Sequence, residues 1–218
     1  LKMISGLSKP TDGEIQMFGY RNEELKNVRS RISGLIEAPG IYGNMSAYHN
    51  LAIKGRLFGI NDSKYIENIL KIVGLSEVGK KKTKHFSLGM KQRLGIGLAL
   101  VGEPDLLVLD EPINGLDPQG IAEIRDMLLR LKEEQNMTII ISSHILEELS
   151  KIATHYGIIH NGSLIQELTR EELMTRCSER MELTLDEPKA ALPILDQMGF
   201  TNYQVVNQST IHIYERLN

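Results

Sequence analysis

The 218-residue chain has no tryptophan, a single cysteine and only 5% aromatic residues. One thiol, Cys177, excludes an internal disulfide framework and offers no metal-ligand spacing, so no zinc site is expected and the thiol is read as inert. No apolar run approaches the length that spans a bilayer, and no charged-then-apolar segment marks an export signal. A strong charge of one sign is lacking too. The 25 Lys and Arg against 28 Asp and Glu leave a net charge of -3, which gives no overall attraction to nucleic acid or to an anionic surface. What remains is an ordinary globular composition, 41% hydrophobic and 24% charged, enough to bury one substantial core and a small second one. The expected placement is the cytosol. The chain opens at Leu1 inside an expected helix, Leu1 to Leu7, so an upstream segment is expected.

The most informative stretch is Leu106 to Pro118, Leu-Leu-Val-Leu-Asp-Glu-Pro-Ile-Asn-Gly-Leu-Asp-Pro. Its short aliphatic run reads as a parallel strand buried on both faces, ending in two adjacent carboxylates. Ligands of open α/β sheets bind at that carboxyl edge. Upstream, Pro10-Thr11-Asp12-Gly13 is a turn, Glu14 to Phe18 a short strand, and Arg31 to Ile36 a second strand broken at Glu37-Ala38-Pro39-Gly40. From Ser46 to about Val101 the period becomes helical, with Ile66, Ile69, Leu70 and Val73 on one face. Lys80 to His85 is a basic loop, read as solvated because no aromatic residues interleave with it.

After the acidic strand end, Ile121, Ile124, Leu128 and Leu131 predict an amphipathic helix, and Thr138 to Ile141 a second buried strand that ends at Ser142-Ser143-His144. A helix with Ile145, Leu149 and Ile152 follows. Gly157 to His160 and Ser163 to Gln166 flank Asn161-Gly162 as a hairpin. Thr169 with Glu172 is a capping box, and a boundary is placed at the composition shift after residue 176. Met181 to Leu185, Ala190 to Met198, Tyr203 to Val206 and Thr210 to Tyr214 read as strand, helix, strand, strand. That piece, 177–218, carries no legible motif.

Three strand ends thus present Glu37, Asp110 with Glu111, and His144 to one edge. The set suits metal-assisted phosphoryl transfer. Mg²⁺ prefers carboxylate oxygens and keeps several waters, so Asp110 is a natural ligand and Glu111 can orient an attacking water. His144 can donate to a phosphate oxygen. Ser87 to Lys91 combines a hydroxyl, a glycine backbone and a helix N-terminus into an anion-binding end. The histidines His49, His85, His155, His160 and His212 belong to no such set.

These motifs resemble the ATP-binding subunit of an ABC transporter. Phe86-Ser87-Leu88-Gly89-Met90-Lys91-Gln92-Arg93 is similar to the family's signature loop, Leu106 to Glu111 to its Walker B strand, Gly115-Leu116-Asp117-Pro118 to its D-loop, and Ser142-Ser143-His144 to its switch histidine. The resemblance covers roughly residues 1–168. It implies a P-loop NTPase-like (RecA-like) α/β core in residues 1–176, with a helical subdomain at about 46–101 and a small α+β extension. It also implies ATP and Mg²⁺ as cofactors, with Asp110 and Glu37 on the metal, Glu111 as catalytic base and His144 on the γ-phosphate. Ser87, Gly89 and Lys91 would meet ATP held by the opposite subunit, and Asp117 would couple the two.

The sequence departs from the family pattern twice. No G-x-x-x-x-G-K-[ST] loop and no upstream aromatic platform for adenine occur in the 218 residues, so the chain as written is expected to bind ATP poorly and to be inactive until the upstream segment is restored. Glu37 stands where most of the family has Gln. With Ala38 to Tyr42, Met45 to Tyr48, Asn50 and Leu51, it resembles the subgroup that exports bacitracin or confers lantibiotic immunity, where Glu is the rule. The resemblance therefore implies an exporter ATPase for a peptide antibiotic, a dimer or pair of nucleotide-binding subunits, held by an integral membrane permease on the inner face of the cell membrane. Two alternatives stand beside it: a non-transport ABC ATPase acting on ribosomes or DNA, and a non-catalytic interaction module. Against the first, the chain has one cassette, no long heptads and no basic face, and no nucleic-acid partner is expected. Co-purification with a hydrophobic membrane subunit rather than RNA or DNA separates them.

Overall fold

A computed structural model describes residues 1–176 and 181–214. The chain forms two compact units, Leu1–Ile152 and Ala153–Asn218. The division falls ahead of the expected boundary after residue 176. The hairpin at 155–169, which the sequence assigns to the main domain, pairs its two strands with each other and falls in the second unit. Cys177 and the composition shift at 177–180 lie outside the described residues.

Leu1 to Leu7 is a set of turns rather than the expected helix. Its hydrogen bonds, Leu7 N–H to Lys2 O at 2.8 Å and Gly6 N–H to Met3 O at 3.1 Å around a left-handed Gly6, are those that end a helix. The expected strand Glu14 to Phe18 shrinks to β1 (Gln16–Met17), paired antiparallel with β2 (Tyr20–Arg21). Phe18 and Gly19 both take positive φ, the geometry of a two-residue hairpin turn. A 3-10 segment, Asn22–Arg31, then leads into β3 (Ile32–Leu35).

Three helices follow, as the change of period predicts: α1 (Ala47–Leu57), α2 (Ser63–Ile72) and α3 (Leu88–Leu100). Each starts on a side chain that accepts a backbone N–H: Ser46 from His49, Asp62 from Lys64, Ser87 from Met90. Such caps satisfy donors that the first helical turn leaves open and contribute about 1 kcal/mol each. Strand β4 (Leu106–Asp110), helix α4 (Pro118–Gln135), strand β5 (Thr138–Ser142) and helix α5 (Leu146–Ile152) complete the first unit.

The strands β3, β4 and β5 are parallel, in that spatial order, with Leu35 opposite Leu109 and Asp110 opposite Ser142. Only the central β4 is buried on both faces, which explains its unbroken aliphatic sequence. Strand β5, expected to be buried, is half-buried, because it has a single strand neighbour among the described residues. Leu107 and Leu109 share one core with Leu51 of α1, Ile66 and Ile69 of α2, Leu94 and Ile96 of α3, and Ile124 and Leu128 of α4. Each fully buried aliphatic side chain contributes about 1.5–3 kcal/mol, so this cluster is what holds the sheet edge in place.

In the second unit, β6 (His155–His160) and β7 (Ser163–Thr169) form the expected hairpin at Asn161-Gly162. Thr169 and Glu172 make both bonds of the predicted capping box at the start of α6 (Arg170–Arg176). Strand β8 (Met181–Thr184), helix α7 (Pro188–Gln197), and strands β9 (Tyr203–Val205) and β10 (Thr210–Ile213) occur in the predicted order. Their antiparallel sheet, ordered β8-β10-β9, encloses a small core of Leu195, Phe200, Ile211 and Ile213. No helix among the described residues is long and apolar enough to cross a membrane.

Candidate functional site

Parallel pairing brings the ends of β3, β4 and β5 to one edge, and the residues there are tied by hydrogen bonds. The Ser142 hydroxyl donates to Asp110 Oδ1 at 2.6 Å. Ser142 Oγ in turn accepts the Glu111 N–H at 3.0 Å, and Ser142 O accepts it at 3.2 Å. Ser142 thus fixes one acid by its side chain and the next by its backbone. Glu111 sits just past the strand with φ of 48°, a left-handed conformation that costs a non-glycine residue energy and is typically retained at functional turns. That turn points the Glu111 carboxylate at His144, with Nδ1 to Oε2 at 2.9 Å.

An ionised carboxylate only accepts, so His144 donates from Nδ1. In the neutral ring Nε2 is then an acceptor. While this contact lasts, Nε2 can donate to a phosphate oxygen only as the imidazolium. Sequence reasoning passed over Ser142. A serine at the end of a strand has no signature of its own, and its importance comes from standing in register with Asp110.

Glu37 also has a positive φ, 63°, two residues beyond β3. Its carboxylate accepts from Lys2 Nζ at 2.6 Å in an exposed ion pair. The Lys2 ammonium is raised in pKa by the hydrogen bond to Glu37, then by the charge of Glu37, with a smaller contribution from Asp110. A lysine therefore stands within electrostatic range of two site acids. Lys2 lies 35 positions from Glu37, beyond the reach of any local pattern.

The remaining predicted residues stand at helix starts. Ser87 caps α3, and Asp117 caps α4 by accepting the Gly120 N–H at 3.1 Å. A Cβ placed on Gly89 would lie 3.8 Å from Leu116, and one on Gly115 would lie 3.3 Å from Leu88, so the signature and D-loop segments pack together. Lys91 is half-buried in the first turn of α3, where the helix dipole is already positive. A cation there is unfavourable for the helix and favourable for a bound anion.

Among the described residues no group of three or more His, Cys, Asp or Glu could by itself enclose a metal ion. Mg²⁺ takes one or two carboxylates and completes its shell with water and substrate phosphates. Asp110, oriented by Ser142, fits such a role, whereas the Glu37 carboxylate is held by Lys2.

Comparison with known proteins places the chain. The family model described as "ABC transporter" matches residues 1–114. The chain is 42% identical to the bacitracin transport ATP-binding protein BcrA of Bacillus licheniformis, over 100% of this chain and 72% of that protein. It is 44% identical to the lantibiotic transport ATP-binding protein SrtF of Streptococcus pyogenes, over 77% of this chain and 71% of that protein. Its fold superposes with a TM-score of 0.67 on the ATP-binding cassette MJ0796, solved as a dimer in a post-hydrolysis state with ADP and Pi, at 22% identity and 78% coverage of both chains. The core is thus the P-loop NTPase-like α/β fold, and the chain belongs to the ABC transporter family.

Proposed function

We propose that this protein is the ATP-hydrolysing subunit of an exporter for a peptide antibiotic, serving resistance or self-immunity. The observation that carries the reading is the Ser142-centred edge, where an acid, a second acid and a histidine from adjacent strand ends are held in fixed relation. Relatives whose names specify bacitracin and lantibiotic transport support the cargo class.

In this reading Asp110 and Glu37 serve the Mg²⁺ that accompanies ATP, and the metal supplies charge neutralisation on the phosphates. Glu111 accepts the proton of the attacking water, and its left-handed backbone and the His144 contact set the direction of that carboxylate. His144 binds the γ-phosphate. Ser87, Gly89 and Lys91 present a helix N-terminus and a cation to the ATP of the opposite subunit, and Asp117 holds the start of α4 beside them. Two such subunits work as a dimer.

The membrane permease docks where the loop after Glu37 meets the helical segment. A cavity of about 540 Å³ opens there, lined by Pro39, Tyr42, Lys54, Leu57, Phe58 and Leu98. Leu57 is 82% exposed and Tyr42 60%, which is the apolar surface a partner helix would cover. The subunit then sits peripherally on the cytoplasmic face of the membrane. The test is co-expression with the candidate permease in a bacitracin-sensitive host. In a form that carries the phosphate-binding loop absent from these 218 residues, Glu111→Gln should lower ATP hydrolysis on the order of 10²- to 10⁴-fold and abolish resistance while leaving nucleotide binding intact. Unchanged hydrolysis in that variant would overturn the role of Glu111.

A further inference from the structure

Charge is segregated in this chain. Residues 38–61 and 78–102 hold Lys54, Arg56, Lys80, Lys81, Lys82, Lys84, Lys91 and Arg93 and not one Asp or Glu, although the whole chain is net acidic. The sequence reads as having no basic face, and the structure corrects that by bringing the two stretches together. The Tyr42 carbonyl accepts from Thr83 Oγ1 at 3.0 Å and from Asn50 Nδ2 at 3.2 Å, while Tyr42 N–H donates to Asn50 Oδ1 at 2.8 Å. Thr83 N–H donates to Met45 O and Lys84 N–H to Gly43 O, both at 2.9 Å. Asn50 and Thr83 are buried, at 2% and 1% exposure, so the loop 41–46 and the loop 80–85 are stapled into one surface.

That surface carries Lys80, Lys81, Lys82, Lys84 and His85, all exposed, with no ion pair to any of them among the described residues. Met45 stands exposed on the stapled neighbour loop, whose Tyr42 lines the cavity assigned above to the permease. Flexible lysines beside an exposed apolar side chain make a composition suited to a bilayer interface, where ammonium groups meet headgroups and the apolar group enters the boundary beneath them. None of the residues 80–85 lines the cavity assigned above to the permease. Point charges outside a cavity suit a diffuse anionic surface better than one shaped peptide, which would call for the bidentate geometry of arginine.

We infer that the Lys80–Lys84 loop, stapled to Tyr42–Ser46, binds anionic phospholipid headgroups and holds this face of the subunit against the membrane independently of the permease. The inference rests on the membrane-associated reading only for the presence of a bilayer, and its test needs neither ATP nor permease, so either can fail alone. The full chain is sedimented with phosphatidylcholine vesicles and with vesicles of phosphatidylcholine and phosphatidylglycerol, across a salt series. Binding should require phosphatidylglycerol, weaken with salt, and persist with soluble phosphate present at matched ionic strength. Replacing Lys80, Lys81, Lys82 and Lys84 with Gln should lower partitioning on the order of a hundredfold or more. The same change at the exposed Lys26, Lys64, Lys71 and Lys132, which removes equal charge elsewhere, should leave most of the binding. Equal binding to neutral vesicles, equal loss in both variants, or displacement by soluble phosphate would overturn the inference. So would lysine-dependent binding that appears only with permease in neutral vesicles, which would assign the loop to an acidic protein segment.

Discussion

Ser142 and Asp110 are register partners on adjacent parallel strands, and the serine hydroxyl donates to the carboxylate at 2.6 Å. The same hydroxyl accepts from Glu111, so one side chain orients both acids of the strand end. Groups that orient a metal-binding or catalytic side chain matter nearly as much as the side chain itself.

In the form that carries the phosphate-binding loop, Ser142→Ala should therefore lower ATPase turnover about 10- to 100-fold and raise the Mg²⁺ concentration needed for half-maximal rate. Glu111 keeps its second bond, to the backbone carbonyl of residue 142, so the turn persists and the stability loss should stay near about 1 kcal/mol. Steady-state kinetics across a Mg²⁺ titration read both effects. A normal Mg²⁺ dependence with reduced stability would make Ser142 merely structural.

Arg93 joins three elements. Its Nη1 donates to Val73 O at 3.4 Å and Gly74 O at 2.9 Å, at the end of α2, and its Nη2 stands 3.3 Å from Glu123 on α4. Arg93→Ala removes bonds to the open carbonyls of a helix end and an ion pair to a partly exposed Glu123 that keeps its bond from Gln119, so a loss of about 1–2 kcal/mol is expected in denaturant unfolding. Arg93→Lys should recover little of it, because one ammonium cannot span both directions of the guanidinium fork. Full recovery by lysine would show that charge alone matters.

The strand Leu106–Asp110 was legible because a central parallel strand must be apolar throughout, and its acids were legible because they end that run. Ser142 and Lys2 were not, since their roles depend on register and on a chain separation that local periodicity does not encode. The β1–β2 turn escaped notice because its first residue is Phe18, a residue that rarely takes positive φ. Leu1 to Leu7 shows the opposite error. Its apolar spacing is helical, yet the left-handed Gly6 closes the segment within one turn. The division after Ile152 was invisible because a hairpin's sequence says how its strands pair with each other and not which body they join.

Glu148 on α5 is held below the usual glutamate range, first by its hydrogen bond to Lys151 and also by Arg125, at 2.7 and 3.4 Å. A lowered carboxylate pKa contributes stability that is full above the unfolded value and is lost as pH falls through the folded one. Glu148→Gln should thus cost about 0.5–1 kcal/mol at neutral pH, an amount kept small by solvent screening. The difference from the parent should vanish in acid once Glu148 is protonated. Denaturant midpoints at neutral and acidic pH measure it, and a gap that persists in acid would assign the effect to packing.

Lys54 presents the inverse case, at a surface left open. Burial lowers the pKa of its ammonium, it lines the cavity beside Tyr42 and Phe58, and no ion pair holds it among the described residues. Its nearest charge-related contact is the Phe58 ring, 6.0 Å from Nζ, at the limit of a useful cation–π distance. A partly desolvated, unpaired cation opposes folding, so Lys54→Met should stabilise the isolated subunit, by under about 1 kcal/mol because solvent still reaches the group. The sign with pH is fixed. The penalty is full below the folded pKa and disappears as pH rises through it toward the unfolded value of about 10.4, so the advantage of the Met variant should shrink in alkali. If the cavity receives a permease helix whose carboxylate meets this lysine, the same variant should weaken assembly while it strengthens the free fold. Unfolding midpoints at neutral and alkaline pH, set beside permease pull-down, separate the two effects, and a variant neutral in both would show that Lys54 serves neither.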